Sequence, residues 1–97
     1  NMKQNIDQLK LSLILLKEGK KIVAYSPELD LSTCANTART AKKRFDDLLE
    51  IFFEELAESN NTANVLLNLG WQQNGSNWIP PKLISYSFET IKMPVTV

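Results

Sequence analysis

Residues 37–56, TARTAKKRFDDLLEIFFEEL, constrain the fold of this chain more than any other stretch. Ala38, Ala41, Phe45, Leu48, Leu49, Phe52 and Leu56 recur at the spacings that place apolar side chains along one stripe of an α-helix. Thr37 precedes the stripe and suits an N-cap, because its hydroxyl can accept from a free first-turn N–H. Neither Gly nor Pro interrupts the run. A helix with one apolar stripe gains little stability in water by itself, so it needs a surface to lie on.

The residues before it read as that surface. Leu9, Leu11, Leu13 and Leu15 alternate with Lys10, Ser12, Ile14 and Leu16, the period of a strand with a leucine face. Lys17-Glu18-Gly19-Lys20 reads as a hairpin connection. Lys21 to Ser26 is the second predicted strand, with Ile22 and Ala24 on one face and Val23 and Tyr25 on the other. Pro27 has no N–H to donate and ends it. Leu29 to Cys34 is the third, with Leu29, Leu31 and Thr33 opposite Asp30, Ser32 and Cys34. The leucine row, Leu9, Leu11, Leu13 and Leu15, or the matching face of strand two is expected to receive Phe45, Leu49 and Phe52.

After the long helix, Asn60 and Asn61 act as breakers, and Thr62 to Leu69 reads as a short second helix. Gly70 fits the left-handed position that follows a helix, with Trp71 packing back on Leu66. Asn74-Gly75 is a turn signal flanked by Trp71 and Trp78. Pro80-Pro81 ends that unit, and one further strand is expected within residues 84–96. The predicted fold class is thus α+β: a three-stranded antiparallel sheet in β-β-β-α-α-β order with one long helix packed on it. The 97 residues read as a single domain, 1–97.

Composition enters through what it excludes. Lys plus Arg equals Asp plus Glu, 11 each, which removes any global electrostatic case for nucleic-acid binding. There is no histidine and one cysteine. Histidine acid–base chemistry, Ser-His-Asp triads, cysteine zinc clusters and an internal disulfide are therefore outside its reach. Cys34 reads as a structural thiol, having no histidine to activate it. The start, NMKQNIDQLK, has no apolar core of a signal peptide, and Leu13–Leu16 is too short to span a bilayer. A cytoplasmic protein with no membrane association, no metal and no cofactor is expected.

Two pieces carry a family resemblance: Val23-Ala24-Tyr25-Ser26-Pro27-Glu28-Leu29, and Asn36-Thr37-Ala38-Arg39-Thr40-Ala41 running on to Phe45, Leu48 and Phe52. Together they resemble the HicB family of toxin–antitoxin antitoxins, whose pattern reads "YxPEL", a short strand, then "G-x-T-x-x-E-A" opening a helix. Asn64 to Trp71 is similar to the short helix ending in "LGW" in some members, and Lys92-Met93-Pro94-Val95 to a closing strand. Asn36 stands near the usual Gly, and Thr40 replaces the usual Glu, which removes the reciprocal half of a capping box. The resemblance implies a partial RNase H-like fold, no enzymatic activity, and a role in binding and occluding a small toxin ribonuclease. No C-terminal DNA-binding module of the kind many members carry is expected within these residues. RNase H chemistry needs clustered carboxylates holding divalent ions, and the predicted strands offer only Asp30 and, at the edge, Glu28.

Two surfaces follow as candidates. On the helix, Arg39, Lys42, Lys43 and Arg44 precede Asp46, Asp47, Glu50, Glu54, Glu55 and Glu58, an order that opposes the helix dipole. Glu50, Glu54, Glu55 and Glu58 are either a solvated face or the patch that meets a small basic toxin. The basic half is the site for weak nucleic-acid binding, the less favoured partner class. On the sheet, Ile14, Leu16, Val23 and Tyr25 share the face that a single helix cannot cover, so a homodimer is expected there or edge to edge. Ile51 and Phe53 flank the helix stripe and are expected to be covered within the chain. An orphan dimeric binding module with no toxin is the alternative function. Trp71 and Trp78 read as core rather than as base-stacking residues, since no basic residues interleave with them.

Overall fold

The computed structural model describes residues 9–96. Residues 1–8, on which the signal-peptide expectation rests, lie outside the described residues, as does residue 97. Three strands come first: β1 (Ile14–Glu18), β2 (Lys21–Ser26) and β3 (Leu31–Ala35). They pair antiparallel in the order β1-β2-β3. The helices α1 (Ala38–Ser59) and α2 (Thr62–Asn68) follow, then a separate hairpin of β4 (Gln72–Asn74) and β5 (Asn77–Ile79). The α+β class, the antiparallel sheet and the long helix on it agree with the sequence reading.

The strand boundaries differ from those expected, for local reasons. Glu18 pairs with Lys21, so the turn is only Gly19-Lys20, with Lys17 and Glu18 inside β1. Gly19 has φ +59° at the first turn position, the geometry of a tight hairpin turn that a side chain resists. Pairing of β1 begins at Ile14, opposite Tyr25. Residues before it have no described strand to pair with, because β2 ends at Ser26, ahead of Pro27, and the Ser12 N–H is taken by the Glu28 carboxylate at 2.9 Å instead. Pro27 to Asp30 form a turn closed by the Ser26–Leu31 pair, so β3 starts two residues later than predicted.

Helix α1 is bounded as its sequence demands. The Thr37 hydroxyl accepts from the Thr40 N–H at 3.1 Å. Asn60 takes the left-handed conformation, φ 54°, and its N–H and that of Asn61 donate to the carbonyls of Ala57 and Leu56. At the end of α2, Gly70 (φ +92°) and Trp71 donate to Leu67 and Leu66, the paired bonds that close a helix on a left-handed residue.

The helix lies over β2 and β3. Ala24, Ala35, Ala41 and Phe45 form one buried cluster, edged by Ile22, Leu31, Leu48 and Leu49. The small side chains let helix and sheet approach closely. Leu29, Leu56, Leu66 and Trp71 form the second cluster, joined by Leu11, Phe52, Phe53 and Trp78. Phe53 is thus covered within the chain, stacking edge-on to Phe52 at 5.2 Å, whereas Ile51 is half exposed, contrary to expectation.

The leucine row is the main correction. Only Leu11 joins the core, while Leu9, Leu13 and Leu15 remain 37–42% exposed. A helix is about 10 Å across and strands lie about 4.8 Å apart, so one helix covers two strands and leaves the third bare. The other correction concerns residues 84–96, which form no strand. The β4–β5 hairpin, turning at Gly75, takes the place of the expected last strand but packs away from the sheet as its own two-stranded unit.

Candidate functional site

Glu28 is the one buried carboxylate among the described residues, 6% exposed, and the structure gives it a positioning task. Its Oε1 accepts from the Ser12 N–H (2.9 Å) and the Ser26 hydroxyl (3.1 Å), and its Oε2 from the Ser12 hydroxyl (2.6 Å). Its backbone carbonyl accepts from the Trp71 indole N–H at 2.8 Å. One residue thereby ties the approach to β1, the end of β2 and the end of α2 together. Burial pushes the carboxyl pKa up. The hydrogen bonds from the Ser12 hydroxyl, Glu28's own N–H, the Ser12 N–H and the Ser26 hydroxyl together outweigh it, holding Glu28 below the ordinary carboxylate range. Every buried side-chain polar atom among the described residues has a partner. Nothing in the sequence spacing pointed from Glu28 to Ser12, sixteen residues earlier. A Glu between Pro27 and the buried Leu29 was the only signal.

Asp30, in the same turn as Glu28, is exposed at φ +52° and accepts from the Tyr25 hydroxyl at 3.0 Å. That hydrogen bond, followed by partial desolvation and the charges of Asp30 and Glu28, raises the Tyr25 pKa. Asp30 and Glu28 do not form a metal-binding group: no cluster of three or more candidate ligands occurs among the described residues.

The acidic residues of α1 all reach solvent. Glu50, Glu54 and Glu58 recur every four residues along one face, with Glu55 beside them, and all four are exposed. Among the described residues the salt bridge is Lys43–Asp47 at 2.8 Å, one turn before this stretch. That hydrogen bond and the charge of Asp47, reinforced by Asp46 and Glu50, raise the Lys43 pKa. The basic half is partly occupied within the chain. Arg44 donates to the Cys34 carbonyl at 2.9 Å, and Lys43 holds Asp47.

Ile14, Leu16, Val23 and Tyr25 are brought together as expected. Ile14 stands opposite Tyr25 and Leu16 opposite Val23, so all four share the sheet face away from α1. Cys34 and Ser32 continue the same rows on β3, and Cys34 is exposed. No described element packs on this face: Ile14 and Leu16 are 40% and 46% exposed, and Val23 and Tyr25 are half-buried.

The C-terminal segment is the feature that sequence reasoning placed wrongly. Ile84, Tyr86, Phe88, Ile91, Met93 and Val95 are 77–96% exposed. Most of the segment runs free of the body.

The described residues form a small α+β fold: a three-stranded antiparallel sheet under a long helix, then a second helix and a β-hairpin. Comparison with protein-family models, curated proteins and solved structures found no match. No described helix is long and apolar enough to cross a membrane.

Proposed function

We propose that this chain is a non-catalytic, HicB-like antitoxin-type protein of partial RNase H-like form, which binds and occludes a small basic toxin ribonuclease. The observation that carries the reading is the conjunction of the strand–strand–strand–helix order with an exposed carboxylate row, Glu50, Glu54 and Glu58, on the helix. A ribonuclease must present cations to a phosphate backbone, and a row of carboxylates along one helix face competes for the same surface. The short motifs VAYSPEL and NTARTA support the family reading. In VAYSPEL, Glu28 serves as an internal tie, which accounts for a carboxylate at that place without metal chemistry.

The test is a binding assay with the product of an adjoining reading frame that encodes a small basic protein. Charge reversal by Glu54→Lys and Glu58→Lys slows association and flattens its salt dependence if the row is the contact. Unchanged rate and salt slope return the row to a solvated face. The second reading is a dimeric binding module without a toxin, favoured by the exposed apolar segment after Leu83. Nucleic-acid binding through Arg39, Lys42, Lys43 and Arg44 is disfavoured, because Lys43 and Arg44 are already engaged.

A further inference from the structure

We propose that residues 84–96 are an exchange arm, which adds as a strand to the outer edge of β1 in a second copy of this chain while that copy's arm does the same in return. The proposal does not depend on the toxin reading.

The first observation is the pattern of the arm. Ile84, Tyr86 and Phe88 alternate with Ser85, Ser87 and Glu89, the period of a strand with one apolar face. The alternation then changes phase, so that Ile91, Met93 and Val95 fall on the opposite face of an extended chain. Paired at the edge of a sheet, such an arm presents one apolar row to each face of that sheet.

The second observation is the state of β1. All five of its residues are exposed, although Ile14, Leu15 and Leu16 are apolar. Leu13 and Leu15 are bare because α1 covers β2 and β3, and Ile14 and Leu16 are bare because no described element covers the far face. Among the described residues β1 is therefore an edge strand with unpaired backbone groups and apolar rows on both faces, the condition under which an edge recruits another strand. The opposite edge is guarded: the Cys34 carbonyl of β3 already accepts from Arg44. The added strand is thus assigned to β1.

The third observation is where the arm starts. Leu83, Tyr86, Ser87 and Phe88 line one open groove of about 610 Å³ with Ser12, Leu13 and Ile14. The arm is rooted beside the start of β1, so two copies related by a two-fold axis near this point bring each root next to the other's edge. Extended over 13 residues, an arm reaches ~43 Å, well beyond the ~17 Å of its own five-residue β1. Each arm carries six apolar side chains, and an aromatic one buries ~150–250 Å². Two arms with their counterparts on β1 thus bury an area on the order of the ~1,600 Å² of a stable interface.

The test uses the full chain and Tyr86→Asp/Phe88→Asp, whose substituted side chains are 81% and 96% exposed and so leave the core intact. Far-UV circular dichroism checks that. Sedimentation at tens of micromolar is expected to give twice 11.0 kDa for the natural chain and 11.0 kDa for the variant. Hydrogen exchange is expected to show at least ~10-fold slowing at alternate arm amides and at the outward amides of β1. That slowing disappears on dilution and in the variant. A natural chain of 11.0 kDa, with or without arm protection, overturns the proposal, because the arm then stays free or closes on its own edge. A dimer whose arm amides exchange freely, or a variant that remains dimeric, also overturns it and assigns association to the face of Ile14, Leu16, Val23 and Tyr25.

Discussion

Replacing Glu28 by Gln tests whether a buried carboxylate holds the two ends of this fold together. The carboxylate accepts three hydrogen bonds from Ser12 and Ser26, and Ser26 is fully buried. In Glu28→Gln one oxygen survives. It can still serve the Ser12 N–H and the Ser26 hydroxyl, both now on a neutral acceptor. The Ser12 hydroxyl, 2.6 Å from Oε2, instead meets an NH₂ group and must turn to accept. The loss is one short charge-assisted bond and the weakening of two others, ~1.5–3 kcal/mol. For a domain of this size that lowers Tm by roughly 6–24 °C. Glu28→Ala costs about 1–3 kcal/mol more, because the buried Ser26 hydroxyl loses its acceptor altogether.

The pH dependence has a definite direction. The folded pKa of Glu28 is lowered, so its stabilisation is fully present above the unfolded value, about 4.3. It is lost as pH falls through the folded value below that. Thermal or urea unfolding of the natural chain and Glu28→Gln at pH 7 and pH 3 reads both effects. The gap between them is wide at pH 7 and narrows at pH 3. Equal midpoints at pH 7, or a gap that persists unchanged to pH 3, refutes the assignment.

Three further outcomes are expected from urea unfolding. Phe45→Ala, at a side chain 3% exposed between Ala24, Ala35 and Ala41, costs about 3–5 kcal/mol, and an unmoved midpoint contradicts the helix-on-sheet packing. Thr37→Ala removes the acceptor of the Thr40 N–H and costs about 1 kcal/mol, whereas Thr37→Ser leaves stability nearly unchanged. Gly70→Ala costs on the order of 1 kcal/mol from backbone strain at φ +92°, since the nearest atom to an added Cβ, Pro81 Cγ, is 3.7 Å away and does not clash.

Much of the framework was legible because it rests on local signals. The spacing from Ala38 to Leu56 and the cap at Thr37 specify α1 without reference to anything distant. Gly70 and Asn60 mark helix ends because few residues accept a left-handed backbone, and the alternation in Lys21–Ser26 assigned Ala24 to the covered face and Val23 and Tyr25 to the open one. What the tertiary structure alone decided is where these elements meet. Leu13 and Leu15 alternate as well as any buried row, yet they are bare because one helix spans only two strands. Glu28 reaches Ser12 only because the turn at Pro27 folds it back beside the approach to β1. Residues 84–96 have the alternation of a strand, but a strand exists only where a neighbouring edge accepts its hydrogen bonds, and within the described residues no such edge meets them. Local patterns depend on the covalent geometry of a few neighbouring residues; coverage, ties and edge pairing depend on how many elements compete for the same surface, which no window of sequence contains.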